Sequence, residues 1–173
     1  MTAITIRPER GSDQSAIHAL TEAAFLGMPF ADGNEADLVD NLRADGDLTL
    51  SLVAEDGERI VGHVAISPVT IEGGARREYG DWYGLGPVSV LPECQREGIG
   101  SQLIKRAIAD LRLRGGNGVV LLGDPDFYGR FGFEHDPALT YPGPPAEYFQ
   151  RMVLDGSPPK GRVRYARAFG APG

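Results

Sequence analysis

The amino-acid sequence predicts one mixed α/β domain, on three observations. Segments with a helical period alternate with short strand-like runs along the whole chain. Glycine is abundant, 24 of 173 residues, and clusters at the joins between apolar segments. No repeat, low-complexity tract or linker interrupts the pattern, so residues 1–173 are expected to share one core.

The elements follow in order. Ile4-Thr5-Ile6 alternates and stops at Pro8, as a short first strand does. Ser12 and Asp13 offer caps for a helix whose inward face is Ile17, Leu20, Thr21, Ala24 and Phe25. Gly27 to Gly33 reads as a loop, and Asn34 as the cap of a second helix with Leu38, Val39 and Leu42 inward. Leu48 to Ala54 is strand-like, Asp56-Gly57 suits a tight hairpin turn, and Ile60 to Ile66 returns, with a continuation through Val69 to Ile71. Gly73-Gly74 ends that run. Trp82 to Val90 is a fourth strand, expected to be antiparallel. Ile99 to Leu113 is an amphipathic helix with Ile99, Leu103, Ala107, Ile108 and Leu111 on one face, stopped by Gly115-Gly116. Val119 to Leu122 is a continuous apolar run, suited to a central strand buried on both faces. Asp124-Pro125 can start a short helix. Pro137 to Pro159 is expected to wrap the surface before Arg162 to Phe169 adds a last strand.

Composition narrows the function classes. The net charge of −7 disfavours a nucleic-acid partner, because phosphate binding relies on clustered Lys and Arg. The single cysteine, Cys94, rules out an intrachain disulfide. No apolar run approaches the ~18 residues of a membrane span, and the first residues lack the apolar stretch of a signal peptide. A cytoplasmic protein without a membrane partner is expected. His63 and His135 are not spaced as a metal pair, so no metal is expected. His18 is expected to be solvated, as are Arg76-Arg77 and Arg162 to Arg167.

Three features carry chemistry. Gln95-Arg-Glu-Gly-Ile-Gly100 joins a strand to a helix start. The amides of Arg96, Glu97, Gly98, Ile99, Gly100 and Ser101 would have no partners inside the helix and would attract a phosphate. Gly98 and Gly100 would let an anion reach the backbone, or would only tighten the turn. The spacing is not that of a P-loop, and the first glycine of a dinucleotide fingerprint is missing. Second, Gly86-Pro87 interrupts the fourth strand. It predicts a parting of strands that exposes amides to an extended ligand such as pantetheine, or a simple edge kink. Third, Tyr128 lies in a short helix closed by Gly129. It can donate a proton to a leaving group or pack with its hydroxyl bonded.

Two of these segments resemble a known family. Gln95 to Gly100 is similar to the acetyl-CoA motif Q/R-x-x-G-x-G/A of the GNAT acetyltransferases. Tyr128 to Phe133, Tyr-x-x-Phe-Gly-Phe, resembles the next motif of that superfamily, and Gly123 to Phe133 is most similar to its YhbS-like bacterial group. The close match runs from about Gly84 to Glu134. The resemblance implies the GNAT fold, a mostly antiparallel twisted sheet with strands 4 and 5 splayed and helices on its faces. It also implies acetyl-CoA as cosubstrate. Val88, Ser89 and Val90 would line the cofactor arm, and the Val90 amide would stabilise the oxyanion. Gln95 and the amides of Arg96 to Ser101 would hold the pyrophosphate, and Tyr128 would protonate the departing thiolate. An asparagine common near position 124 in the family is replaced by Asp124, read here as a helix cap.

The base that frees the acceptor amine is open. The fourth strand has no carboxylate. Glu35 and Asp81 are candidates, with a helix-start charge and a turn residue as their plainer readings. Ser89 could anchor a relay water. Cys94 reads as packing at the loop base. The expected partner is a small-molecule or protein amine, with a possible homodimer through the last strand. The alternative is a non-catalytic acyl-CoA sensor or partner-binding module on the same fold.

Overall fold

The computed structural model describes residues 3–29, 31–73 and 79–170. Gly74 and Arg76-Arg77 lie outside them. The chain divides into two compact units, Met1–Ile66 with Gly86–Ala109, and Ser67–Leu85 with Asp110–Gly173. Strands β3 (Arg59–Glu72) and β4 (Trp82–Val90) contribute residues to both.

In the first unit, β1 (Ile4–Pro8) pairs antiparallel with β2 (Leu50–Asp56), and β2 pairs antiparallel with β3 from Leu50↔Ile66 to Asp56↔Arg59. Gly57, at φ 63°, makes the turn that its Asp-Gly sequence predicts. Helices α1 (Gln14–Phe25) and α2 (Glu35–Ala44) pack on this ladder, where Ile17, Val39, Val53 and Ala65 form one cluster. The face of α2 is Ala36, Val39 and Leu42, and Leu38 is only half-buried. Neither expected cap side chain bonds a helix amide. The Asp13 carboxylate instead takes Arg7 at 2.7 Å and the Arg10 amide, and arginine holds it below the usual carboxylate range against the opposing effect of burial. Helix α3 (Ile99–Leu113) buries the predicted stripe together with Ile104. It sits closely on β3 because position 62 is glycine: a Cβ there would lie 2.9 Å from Ile99 Cγ2.

In the second unit, β5 (Gly118–Leu122) pairs parallel with β4 and antiparallel with β7 (Phe149–Val153). The far part of β3 pairs with β8 (Gly161–Tyr165), which pairs with the two-residue β6 (Leu139–Thr140). Val69, Ile71, Trp82, Val120, Leu139, Phe149 and Val163 make its core.

Four expectations are corrected here. Pro137 to Pro159 contains β6 and β7 rather than only surface chain; Phe149, Gln150 and Met152 are buried. Proline and glycine cluster at the ends of that segment, and they masked the strand between. The last strand stops at Tyr165, and Arg167–Phe169 is a 3-10 turn. Leu122 is exposed although Val119 to Leu121 are buried. His18 is not simply solvated: its Nδ1 meets Asp40 Oδ2 at 2.7 Å and its Nε2 lies 3.3 Å from Glu22.

Candidate active site

The parallel ladder between β4 and β5 runs Trp82↔Gly118, Tyr83↔Val119, Gly84↔Val120, and no further pair follows among the described residues. Gly86, at φ 135°, precedes Pro87 in a cis peptide at the point where pairing has stopped. The predicted parting of β4 from its neighbour β5 is therefore present, while β4 itself runs on to Val90.

Beyond it, β4 offers free backbone. The Leu91 amide donates to the Val61 carbonyl at 2.9 Å, toward β3. Successive amides of a strand point to opposite edges, so the Val90 amide points away from β3. It has no hydrogen-bond partner among the described residues. The Val90 carbonyl accepts Gln95 Nε2 at 3.2 Å. Gln95 thus ties the following loop to the strand end, a role the motif alone does not reveal.

The loop then turns sharply. Arg96 and Gly98 both take left-handed φ values, 69° and 82°. Helix α3 begins at Ile99, and the first helical bond from this turn is Gln102 N to Gly98 O at 3.1 Å. The amides of residues 96 to 101 reach no carbonyl among the described residues. Six donors at a helix start, with the positive end of the dipole behind them, suit an anion. The two glycines serve different ends. Gly98 is needed for its φ. Gly100 is not, and a Cβ there would meet only Val90 Cγ2, at 3.8 Å. Its missing side chain leaves space above the amides.

Tyr128 closes α4 (Pro125–Tyr128) in the second unit, with Asp124 Oδ1 accepting the Asp126 amide as the predicted cap. Its ring lies over Gly123, where a Cβ would be 2.3 Å from Tyr128 Cε2, so that position must be glycine. Phe127 and Phe133 meet the ring edge-on at 4.9 and 6.1 Å. The hydroxyl has no partner among the described residues. Burial pushes its pKa up to about 12, so the phenol stays protonated at neutral pH.

Of the candidate bases, Glu35 belongs to the first unit and Asp81 to the second. Glu35 accepts the Asp32 and Gly33 amides at 2.7 and 3.2 Å, closing the loop before α2. Asp81 is an exposed turn residue at φ 57°, whose carbonyl accepts the Asn117 amide at 2.8 Å. Ser89 is buried, and its Oγ lacks a partner. Cys94 is half-buried at the loop base, where burial raises its thiol pKa and keeps it a thiol.

A family model for the acetyltransferase (GNAT) domain matches residues 5–135. The chain belongs to the GNAT acetyltransferases. It is 39% identical over 137 residues to the N-acetyltransferase YhbS of Escherichia coli K12, covering 76% of this chain and 80% of the relative. Among solved structures it is similar to a GNAT acetyltransferase from Brucella melitensis in complex with acetyl-CoA: 46% identity, 98% and 99% of the two chains covered, TM-score 0.83. Escherichia coli YhbS in complex with CoA matches at 35% identity, 100% and 95% coverage and TM-score 0.86. The GNAT fold, a mixed sheet with flanking helices and strands 4 and 5 parallel, is therefore the fold of this chain. No helix of the described residues is long and apolar enough to cross a membrane.

The GNAT motifs do not point to one polar group. His63, read in the sequence only as not spaced with His135 for a metal, is fully buried and bonded to Ser51. Only the pairing of β2 with β3 could have brought these residues together.

Proposed function

We propose that this GNAT protein transfers the acetyl group of acetyl-CoA to a primary amine by direct attack in a ternary complex. The observation that carries the reading is the run of unpaired amides from Arg96 to Ser101 beneath the side-chain-free Gly98 and Gly100. These amides, with Gln95 holding the loop, would bind the pyrophosphate. Acetyl-CoA supplies the activated acetyl thioester. Val88 to Val90 offer an open strand edge to the pantetheine amides, and the Val90 amide would stabilise the oxyanion.

Tyr128 is assigned as donor to the leaving sulfur. A phenol near pKa 12 is a weak acid beside a thiol near ~8.5, so complete transfer would be uphill by roughly 5 kcal/mol. Its contribution is a hydrogen bond to the forming thiolate, and the net proton comes from the acylated nitrogen. Glu35 and Asp81 remain candidate bases on charge alone; the backbone bonds of Glu35 argue for its plainer role.

Calorimetric titration with acetyl-CoA tests the reading. Wild-type protein should bind with a micromolar Kd, and Gly98→Trp should abolish binding while its melting curve remains cooperative. An amine panel follows, with Tyr128→Phe expected to lower kcat about 10-fold or more. No binding by folded wild-type protein would overturn the proposal. Binding with no turnover on any amine would favour the acyl-CoA sensor.

A further inference from the structure

The first unit contains a chain of hydrogen-bonded polar side chains that runs from α2 to β3. Arg43 on α2 grips Glu9 with two bonds, Nε to Oε2 at 3.0 Å and Nη2 to Oε1 at 2.9 Å. Ser51 on β2 bonds Glu9 Oε1 and, at 2.7 Å, His63 Nε2 on β3. Burial acts to raise the Glu9 pKa, but hydrogen bonds from Arg43 and Ser51 outweigh it and hold the carboxylate ionised. An ionised carboxylate only accepts, so the one hydroxyl proton of Ser51 goes to Glu9. Ser51 Oγ must then accept from His63, which fixes the proton on Nε2. The lone pair of His63 lies on Nδ1, which is buried and has no partner.

A second buried orphan lies on the neighbouring strand. Ser89 Oγ on β4 is unpartnered and 1% exposed. The Leu91 to Val61 hydrogen bond fixes β4 on β3, and Ser89 and His63 each lie two residues from it. In an antiparallel pair, those two positions face each other on one side of the sheet. Buried polar atoms in native proteins almost always find partners, directly or through an ordered water.

We propose that one ordered water joins Ser89 Oγ to His63 Nδ1, and that Glu9, Ser51, His63 and Ser89 form the path by which the acceptor ammonium loses its proton. This rests on the acetyltransferase reading, since Ser89 precedes Val90, whose amide is assigned to the thioester. The step balances along the chain. The ammonium N–H bond breaks and its proton passes through a water to the buried Ser89 Oγ, while the Ser89 proton passes through the bridging water to His63 Nδ1. The Nε2 proton moves to Ser51 Oγ, and the Ser51 proton to Glu9. The nitrogen keeps the electron pair with which it attacks the thioester carbon. Glu9, 17% exposed at its side chain, gives the proton to water and leaves His63 with its proton on Nδ1; once the product has left, a proton from water at Glu9 runs back along the same path to water in the emptied site and restores the Nε2–H tautomer. A neutral imidazole this deeply buried is a weak base, with a pKa of about 4, so it conducts the proton rather than storing it.

Two measurements test the path. In ¹⁵N-imidazole NMR of the full chain, with the His63 signals assigned by their loss in His63→Gln, His63 should be neutral at pH 6 with the proton on Nε2. A charged ring or an Nδ1–H tautomer would overturn the proposal whether or not an acceptor is known. In the kinetic arm, His63→Gln, Ser51→Ala and Ser89→Ala are compared using an alkylamine and an alkoxyamine that is already neutral at the assay pH. The path predicts a loss of about 100-fold in kcat/KM for the alkylamine and less than threefold for the alkoxyamine. Equal losses on both would reduce the chain to a structural role. Calorimetry with acetyl-CoA keeps the two readings apart: His63→Gln and Ser51→Ala should bind like wild type, whereas failure of wild type to bind is failure of the acetyltransferase reading.

Discussion

Trp82 to Gly84 and Val88 to Val90 belong to one strand, but β5 ladders the first three residues while the last three keep the edge away from β3 open. The first half is built for packing. Trp82 is 3% exposed, and its ring lies where a side chain at Gly118 would be, 2.1 Å from a Cβ built there. The second half carries an unpaired Val90 amide and the orphaned Ser89 hydroxyl. Unmet backbone groups are tolerated where a ligand can meet them, so the halves should respond to substitution in opposite ways.

The largest effect is expected in the laddered half. Trp82→Ala should cost about 3 to 5 kcal/mol of stability in chemical denaturation. The protein that remains folded should bind acetyl-CoA within threefold of wild type. A large loss of affinity at full folding would mean that the two halves are not separate in function.

The next effect concerns the histidine placed two residues beyond the Leu91 to Val61 bond. Burial holds the His63 pKa at about 4 against its ordinary 6.5. Between those values the unfolded chain binds a proton that the folded chain does not. Stability should therefore fall as the pH drops from about 6.5 to about 4, by about 3 kcal/mol in all. Urea midpoints across that range should show the slope in wild type and lose most of it in His63→Gln. The same slope in both would place His63 outside the buried network.

A smaller effect separates binding from folding in the open half. Gly100→Ala adds a methyl with only an ordinary contact to Val90, in a helical first turn. Stability should stay level or rise by up to ~1 kcal/mol. Affinity for acetyl-CoA should fall about 10-fold, as the methyl occupies the approach to the amides. Unchanged affinity would move the pyrophosphate away from Gly100. The smallest effect is Gln95→Ala, which removes the tie to the Val90 carbonyl and should cost about 1 kcal/mol of binding free energy, read by calorimetry.

Much of this was legible in the chain itself. The boundaries of β4 and α3, the Asp56-Gly57 turn, the Asp124 cap and the amide loop follow from local rules, because period, turn residues and capping act over a few neighbours. The bonds of Glu35, in the first turn of α2, are local in the same way, to the Asp32 and Gly33 amides. Strand β7 was hidden because its flanking prolines and glycines looked like surface chain, and its burial comes from β5, about thirty residues away. The chain Arg43–Glu9–Ser51–His63 was hidden for the same reason, since its members lie on three elements and the connection after β1 and none has a spacing to notice. Sequence alone determined the GNAT family, through two motifs each confined to one loop and helix start. Only the tertiary structure decided which buried polar groups meet, because hydrogen-bond partners distant in sequence are chosen by strand register.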